Sequence, residues 1–227
     1  MGVALPRWVW VGAGLLACVA GMVNAVGYLG FEHQAVTHLT GTTTLLGAAL
    51  AKGDLRAVSH LAAVALAFMA GAALSGVLIQ DSTLRLGRRY GVALVLESLL
   101  LFAAIPLFMH QQLAGALLAA MACGLQNAMA TTYSGSVIRT SHLSGMFTDL
   151  GIGLGHALRG MPLQTRRLLL CVLIITGFLT GAVIGGLLFV RLGYAALAVP
   201  ATLTGSAGLV YAGYRQLQLR RGRADAA

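Results

Sequence analysis

Apolar positions fall into six long runs, about Trp8 to Leu29, Ala57 to Ile79, Gly91 to Met109, Leu113 to Thr131, Leu168 to Val190 and Tyr194 to Tyr214. Each is near the roughly 20 residues that a helix needs to cross a bilayer. Two further apolar stretches, His38 to Ala51 and His142 to Ala157, are shorter and interrupted by Thr, Ser and Gly. At about 1.5 Å per residue they cover about two thirds of a hydrocarbon core of about 30 Å, which predicts half-helices. Irregular backbone leading into them, at Thr37 to Gly41 and Thr140 to Gly145, is tolerated at membrane depth only where protein or water shields it. Both segments are therefore expected to face the interior. The pattern predicts an all-α integral membrane protein with about six transmembrane helices and two re-entrant half-helices, forming one transmembrane domain over residues 1–227.

The polar interruptions repeat. Gly21 to Ala25 (GMVNA) followed by His38 to Leu50 (HLTGTTTLLGAAL) recurs as Gly124 to Ala128 (GLQNA) followed by His142 to Leu154 (HLSGMFTDLGIGL). Two homologous halves follow, residues 8–109 and 113–214. Three crossings and one re-entrant segment per half turn the second half upside down relative to the first. Inverted repeats let the two re-entrant segments come in from opposite faces and meet near the midplane, where such proteins build a binding site.

Composition agrees with the class. The chain is 58% hydrophobic and 9% charged, with a mean hydropathy of +0.85, far from a soluble domain of 227 residues. With a cytoplasmic N-terminus and six crossings, 12 of the 15 Lys and Arg residues lie inside, including the basic tail 215–227. Letting both short segments span gives 10 inside and 5 outside, so the positive-inside rule favours six. Arginines confined to loops and a tail account for the formal charge of +9 through the bilayer and its anionic lipid, which argues against nucleic acid. Cys18, Cys123 and Cys171 lie within spans without metal-ligand spacing and read as packing residues. The run Leu15-Leu16-Ala17-Cys18 is followed by apolar chain to Leu29, too long for a cleaved leader. Small residues four apart, at Gly177, Gly181 and Gly185 and at Ala13, Ala17, Gly21 and Ala25, predict close helix crossings, within the chain or against a second copy.

Polar side chains at membrane depth are costly and mark candidate function. In the first copy these are Asn24, His38, Thr40 with Gly41, and Thr42, Thr43 and Thr44. In the second they are Gln126, Asn127, Arg139, His142, Ser144 with Gly145, Thr148 and Asp149, and Glu97 stands alone within its span. Thr40 and Ser144 are expected to cap the half-helices, with the positive helix ends aimed at an anionic or zwitterionic solute. Arg139 suits a carboxylate or phosphate, or anchors the topology. Asp149 and Glu97 are candidate proton-coupling groups, with arginine pairing as the alternative for each. Asn24 and Asn127 contact solute or join helices, and His38 and His142 titrate or bond the opposite loop.

The GxxxA element on the first helix, the Thr-Gly turn, the central GLQNA and the segment RTSHLSGMFTDLG from Arg139 to Gly151 resemble the YoaK-like family of bacterial inner-membrane proteins, whose domain has unknown function. The resemblance covers nearly the whole chain and implies about six transmembrane helices and a transport role. The family's first-helix acid is Asn24 here, and the Asn that often follows Thr-Gly is Thr42 or Met146, whereas Asp149 matches the acid of the second element. The abundance of arginine, 14 against one lysine, suggests a GC-rich bacterial genome.

No HExxH pair, Gly-x-Ser-x-Gly elbow or cluster of His and Cys is present, so no enzyme, metal or cofactor is expected. The expectation is an inner-membrane permease for a small solute with both termini cytoplasmic. A channel and a non-catalytic membrane partner are the alternatives.

Overall fold

The computed structural model describes residues 7–30, 37–79, 89–133 and 140–224. Among them are eight α-helices: α1 Arg7–Gly30, α2 Leu39–Lys52, α3 Leu55–Leu78, α4 Arg89–Met109, α5 Leu113–Tyr133, α6 Leu143–Leu158, α7 Thr165–Leu192 and α8 Ala198–Ala224. A 3₁₀ turn, Gly193–Leu197, joins the last two. Five stretches are long and apolar enough to cross a membrane, the fifth a 50-residue segment over α7, the turn and most of α8. The protein is an α-helical, multi-pass membrane protein.

Local chemistry sets the joints. Gly53 ends α2 in the left-handed region at φ 69°, its N–H reaching back to Leu50, and Asp54 then caps α3 by accepting from the Ala57 amide at 3.0 Å. Two residues therefore suffice to reverse the chain. Gln111, between α4 and α5, takes a positive φ of 54°, and Gly193 (φ 58°) breaks α7 from the turn. The predicted last span begins at Tyr194, but the helix starts at Ala198, because the chain first turns through the 3₁₀ segment. At its other end α8 continues to Ala224, through most of the predicted tail.

Glycines decide which helices touch. A Cβ on Gly21 would land on the Phe178 carbonyl oxygen, and one on Gly181 on the Cys18 carbonyl, so α1 and α7 cross backbone to backbone. The contact recurs between α5 and α3, where Gly124 lies against the Phe68 carbonyl and Gly71 against the Met121 carbonyl. α1 and α7 run the same way, Gly14 meeting Leu173 near one end and Gly30 meeting Phe189 and Tyr194 at the other. α4 and α8 run oppositely, with Gly91 against Gly208 and Ser98 against Gly205.

The buried side chains form two apolar clusters along these helices. One, from Val23 and Val26 through Leu101, Phe108 and Ala119 to Leu197, fills the half away from the N-terminus. The other, from Val9 and Ala13 through Ala93 and Met129 to Ile174, fills the half nearer to it. Outer positions are apolar too, Val190 and Leu158 each being 82% exposed, as lipid-facing residues are.

The two half-helices do not meet. α2 packs on α3 and α6 on α7, and among the described residues neither approaches the other or any further helix. The expectation that they come together at the centre is therefore corrected. The physical reason lies in the glycine crossings, which press α1 against α7 and α3 against α5 and leave α2 and α6 on the outer flanks.

Candidate functional site

The polar motifs act first as pins for the chain that leads into each half-helix. Asn24 Oδ1 accepts from the Thr37 amide at 3.2 Å and from its hydroxyl at 2.7 Å. In the second copy Gln126 does this work: its Oε1 accepts from the Thr140 hydroxyl at 3.3 Å, and its Nε2 donates to the Leu16 carbonyl of α1 at 3.2 Å. Asn127 Oδ1 is buried with no partner among the described residues. A polar side chain inside a helix bundle is satisfied in this way or costs stability.

The cap positions lie two residues earlier than expected. α2 and α6 start at Leu39 and Leu143, with His38 and His142 in the cap positions and no side chain closing either cap. Thr40 and Ser144 sit inside the first turn and are not caps. Each imidazole lies over the turn where Gly41 or Gly145 leaves room, since a Cβ there would strike the His38 or His142 ring. Most of the hydroxyls turn inward on their own helices: Thr42 donates to His38, Thr43 to Leu39, Thr44 to Thr40 and Thr148 to Ser144. Asp149 makes a bidentate ion pair with Arg167 of α7, the shortest arm 2.9 Å, on a partly exposed surface. Arg139 lies outside the described residues.

Glu97 is placed differently. It is 2% exposed in α4, with Oε2 unpartnered among the described residues, and lies between the two apolar clusters, Ala93 belonging to one and Leu101 to the other. Gln126 occupies the same seam on α5, between Cys123 and Met129. Sequence pattern alone marks both as polar at depth, and the packing makes them neighbours of one waist.

On the N-terminal side of that waist is a cavity of about 320 Å³ among α1, α4, α5 and α8. Leu16 and Val19, Tyr90 and Leu94, Met129, and Leu203, Thr204, Ala207 and Tyr211 line it, and none of the predicted site residues does. Its deepest lining residues on α4 and α5, Leu94 and Met129, stop three residues short of Glu97 and Gln126, about 4.5 Å of helix rise. The opposite side is closed. The Tyr194 hydroxyl donates to the Gly30 carbonyl and accepts from Gln111 Nε2 at 3.2 Å, and the ring stacks on Phe108 at 5.0 Å with Phe189 edge-on at 5.5 Å. Sequence reading missed this cluster, and the one available signal was a tyrosine beside a glycine at the end of an apolar run. No group of three or more His, Cys, Asp or Glu able to hold a metal occurs among the described residues.

A family model described as "Protein of unknown function (DUF1275)" matches residues 12–210, from early α1 to the middle of α8. The chain belongs to the DUF1275 family. No curated protein and no solved structure matches it. In this DUF1275 protein the matched region includes both pins, the Tyr194 cluster and the lining of the apolar cavity apart from Val9 and Tyr211.

Proposed function

We propose that this protein is a transporter of the bacterial inner membrane, carrying a small anionic or zwitterionic solute by alternating access between two inverted repeats, residues 8–109 and 113–214, with both termini cytoplasmic. It is a carrier and not an enzyme, and the YoaK-like resemblance belongs to the same reading. The observation that carries it is the one-sided cavity, which stops about one helical turn short of Glu97 and Gln126 while Tyr194 closes the far side.

The repeat reading draws on direction. α1, α4 and α7 run one way and α3, α5 and α8 the other, which makes six crossings and three per half. The duplicated glycine contacts support exchange of the halves, because α1 on α7 corresponds to α5 on α3. The pins support re-entrant segments: Asn24 lies six residues before the end of α1, so Thr37 is held about 9 Å inside that end. In this scheme Glu97 is the protonating group and Asp149 exchanges between proton and Arg167. The open first-turn amides of α2 and α6, beside His38, Gly41, His142 and Gly145, offer contacts to an anion, and Asn127 offers a hydrogen bond.

The test is a thermal-shift screen of detergent-solubilised protein against pooled organic acids, inorganic anions, amino acids and sugars at two pH values, in wild type, Glu97→Gln and Asp149→Asn. A ligand at a hundred times its Kd stabilises by roughly 2.7 kcal/mol. The expected result is a pH-dependent hit weakened in at least one variant, followed by saturable uptake in sealed vesicles. Flux that fails to saturate points to a channel, and no hit with folded protein overturns the reading.

A further inference from the structure

The cavity is more apolar than a path for a hydrated ion requires. Tyr90, Tyr211 and Thr204 bring the hydroxyls to its wall, and the Thr204 hydroxyl is already donated to the Pro200 and Ala201 carbonyls. It also opens sideways. α4 packs along α5, whereas α1 and α8 touch only briefly, and the lining residues Leu15 and Leu203 at that gap are 61% and 47% exposed. Under exchange of the halves the α1–α8 gap corresponds to the α4–α5 contact, so one of two equivalent seams is shut and the other is open to the bilayer. An apolar void facing hydrocarbon forfeits dispersion contacts on its walls until a chain fills it. At about 320 Å³ it falls at the lower end of the roughly 300–1,000 Å³ of small-molecule sites.

Arginine positions flank the lining segments in the chain. Arg89 adjoins the lining residue Tyr90, residue Arg7 stands two positions before Val9, and residue Arg215 one turn beyond Tyr211. Three arginine positions thus fall toward the N-terminal end of the apolar slot along α1, α4 and α8, a placement that suits an anionic head on a hydrocarbon tail.

We infer that the cleft between α1 and α8 holds the acyl chain of an anionic membrane lipid, with its headgroup at the level of Arg7, Arg89 and Arg215. This narrows the solute of the proposed transporter to an amphiphile. It rests on the transport reading for movement alone, and occupancy stands without it.

The experiment uses full-length protein in phosphatidylcholine vesicles with a trace of lipid bearing a diazirine in its acyl chain, as phosphatidylglycerol or as phosphatidylcholine, and maps adducts by mass spectrometry. The expected result is labelling concentrated on Gly12 to Val19 and Leu203 to Tyr211, stronger for the anionic probe by about fivefold, the preference that one basic residue near the membrane surface gives. Gly12→Leu, at a lining position where an added Cβ meets nothing within 4 Å, puts a side chain into the slot and removes that labelling, and Ala207→Leu, at a lining position of α8, does the same. Labelling of the lipid-facing residues Leu179 and Leu187 of α7 stays unchanged and headgroup-independent. Cleft labelling no denser than on α7, or persisting in both filled variants, overturns the site, and equal labelling by the two headgroups overturns its anionic character. Vesicles that show the cleft adducts but no flux of the probe retire the transport reading and leave the site standing.

Discussion

Replacing Gly71 with alanine tests the packing at its tightest point. The new Cβ would fall on the Met121 carbonyl oxygen, a backbone atom that moves only if α3 and α5 separate. Overpacking a close contact costs roughly 1–3 kcal/mol. Gly→Ala within a helix also contributes up to about 1 kcal/mol of favourable propensity, which hides part of that cost. Gly76 cancels this term, because it lies on the same helix, five residues on, with nothing within 4 Å of its Cβ. Gly71→Ala should therefore be less stable than Gly76→Ala by roughly 1–3 kcal/mol, about a fivefold to a hundredfold change in the folded-to-unfolded ratio. Gly181→Ala should match Gly71→Ala, since its Cβ meets the Cys18 carbonyl in the equivalent crossing. The assay is reversible unfolding in mixed micelles titrated with a denaturing detergent, followed by far-UV circular dichroism. If Gly71→Ala and Gly76→Ala unfold together, the backbone-to-backbone crossing is wrong.

Four further outcomes follow from individual contacts. Asn24→Ala and Thr37→Ala should couple in a double-mutant cycle by about 0.6 and at most about 1.7 kcal/mol, the range for hydrogen bonds between membrane helices; strictly additive losses refute the pin. Tyr194→Phe keeps the stack on Phe108 but loses the bonds to Gly30 and Gln111, at a cost of about 1 kcal/mol, and adding Gln111→Ala should cost less than it does in wild type. Arg167→Ala should shift the unfolding midpoint by no more than about 1 kcal/mol and less in high salt, because the pair with Asp149 is partly exposed; a salt-independent loss contradicts this. Glu97→Gln keeps the shape of a carboxyl whose Oε2 has no partner among the described residues, so its midpoint should stay close to wild type, whereas Glu97→Ala leaves a hole in a fully packed seam and unfolds earlier.

Much of the fold was legible because bilayer-length apolar runs leave few alternatives. The predicted half-helices at 38–51 and 142–157 differ from α2 and α6 by one residue at each end, since Gly53 and the His38 and His142 positions punctuate the chain locally. The small-residue stripes at Gly21 and Gly181 announced close crossings but not their partners. The polar list held the real pins, Asn24 and Gln126, and gave no means of separating them from Thr42, Thr43 and Thr44, whose hydroxyls are spent on their own helix. Capping by Thr40 and Ser144 failed because an imidazole lying on a glycine occupies the turn before them.

By itself the sequence determined membrane class and helix positions, both of which rest on local hydrophobicity. Tertiary structure alone decided that α1 lies on α7 and α3 on α5, that α2 and α6 stay apart, and that an apolar cleft opens between α1 and α8 while Tyr194 closes the other side. Those outcomes depend on pairings between residues far apart in the chain, such as Gly71 with Met121, Leu16 with Gln126 and Gly30 with Tyr194. Hydrophobicity says that each helix must be covered, but only the fit of glycine faces and the satisfaction of buried polar groups say by what.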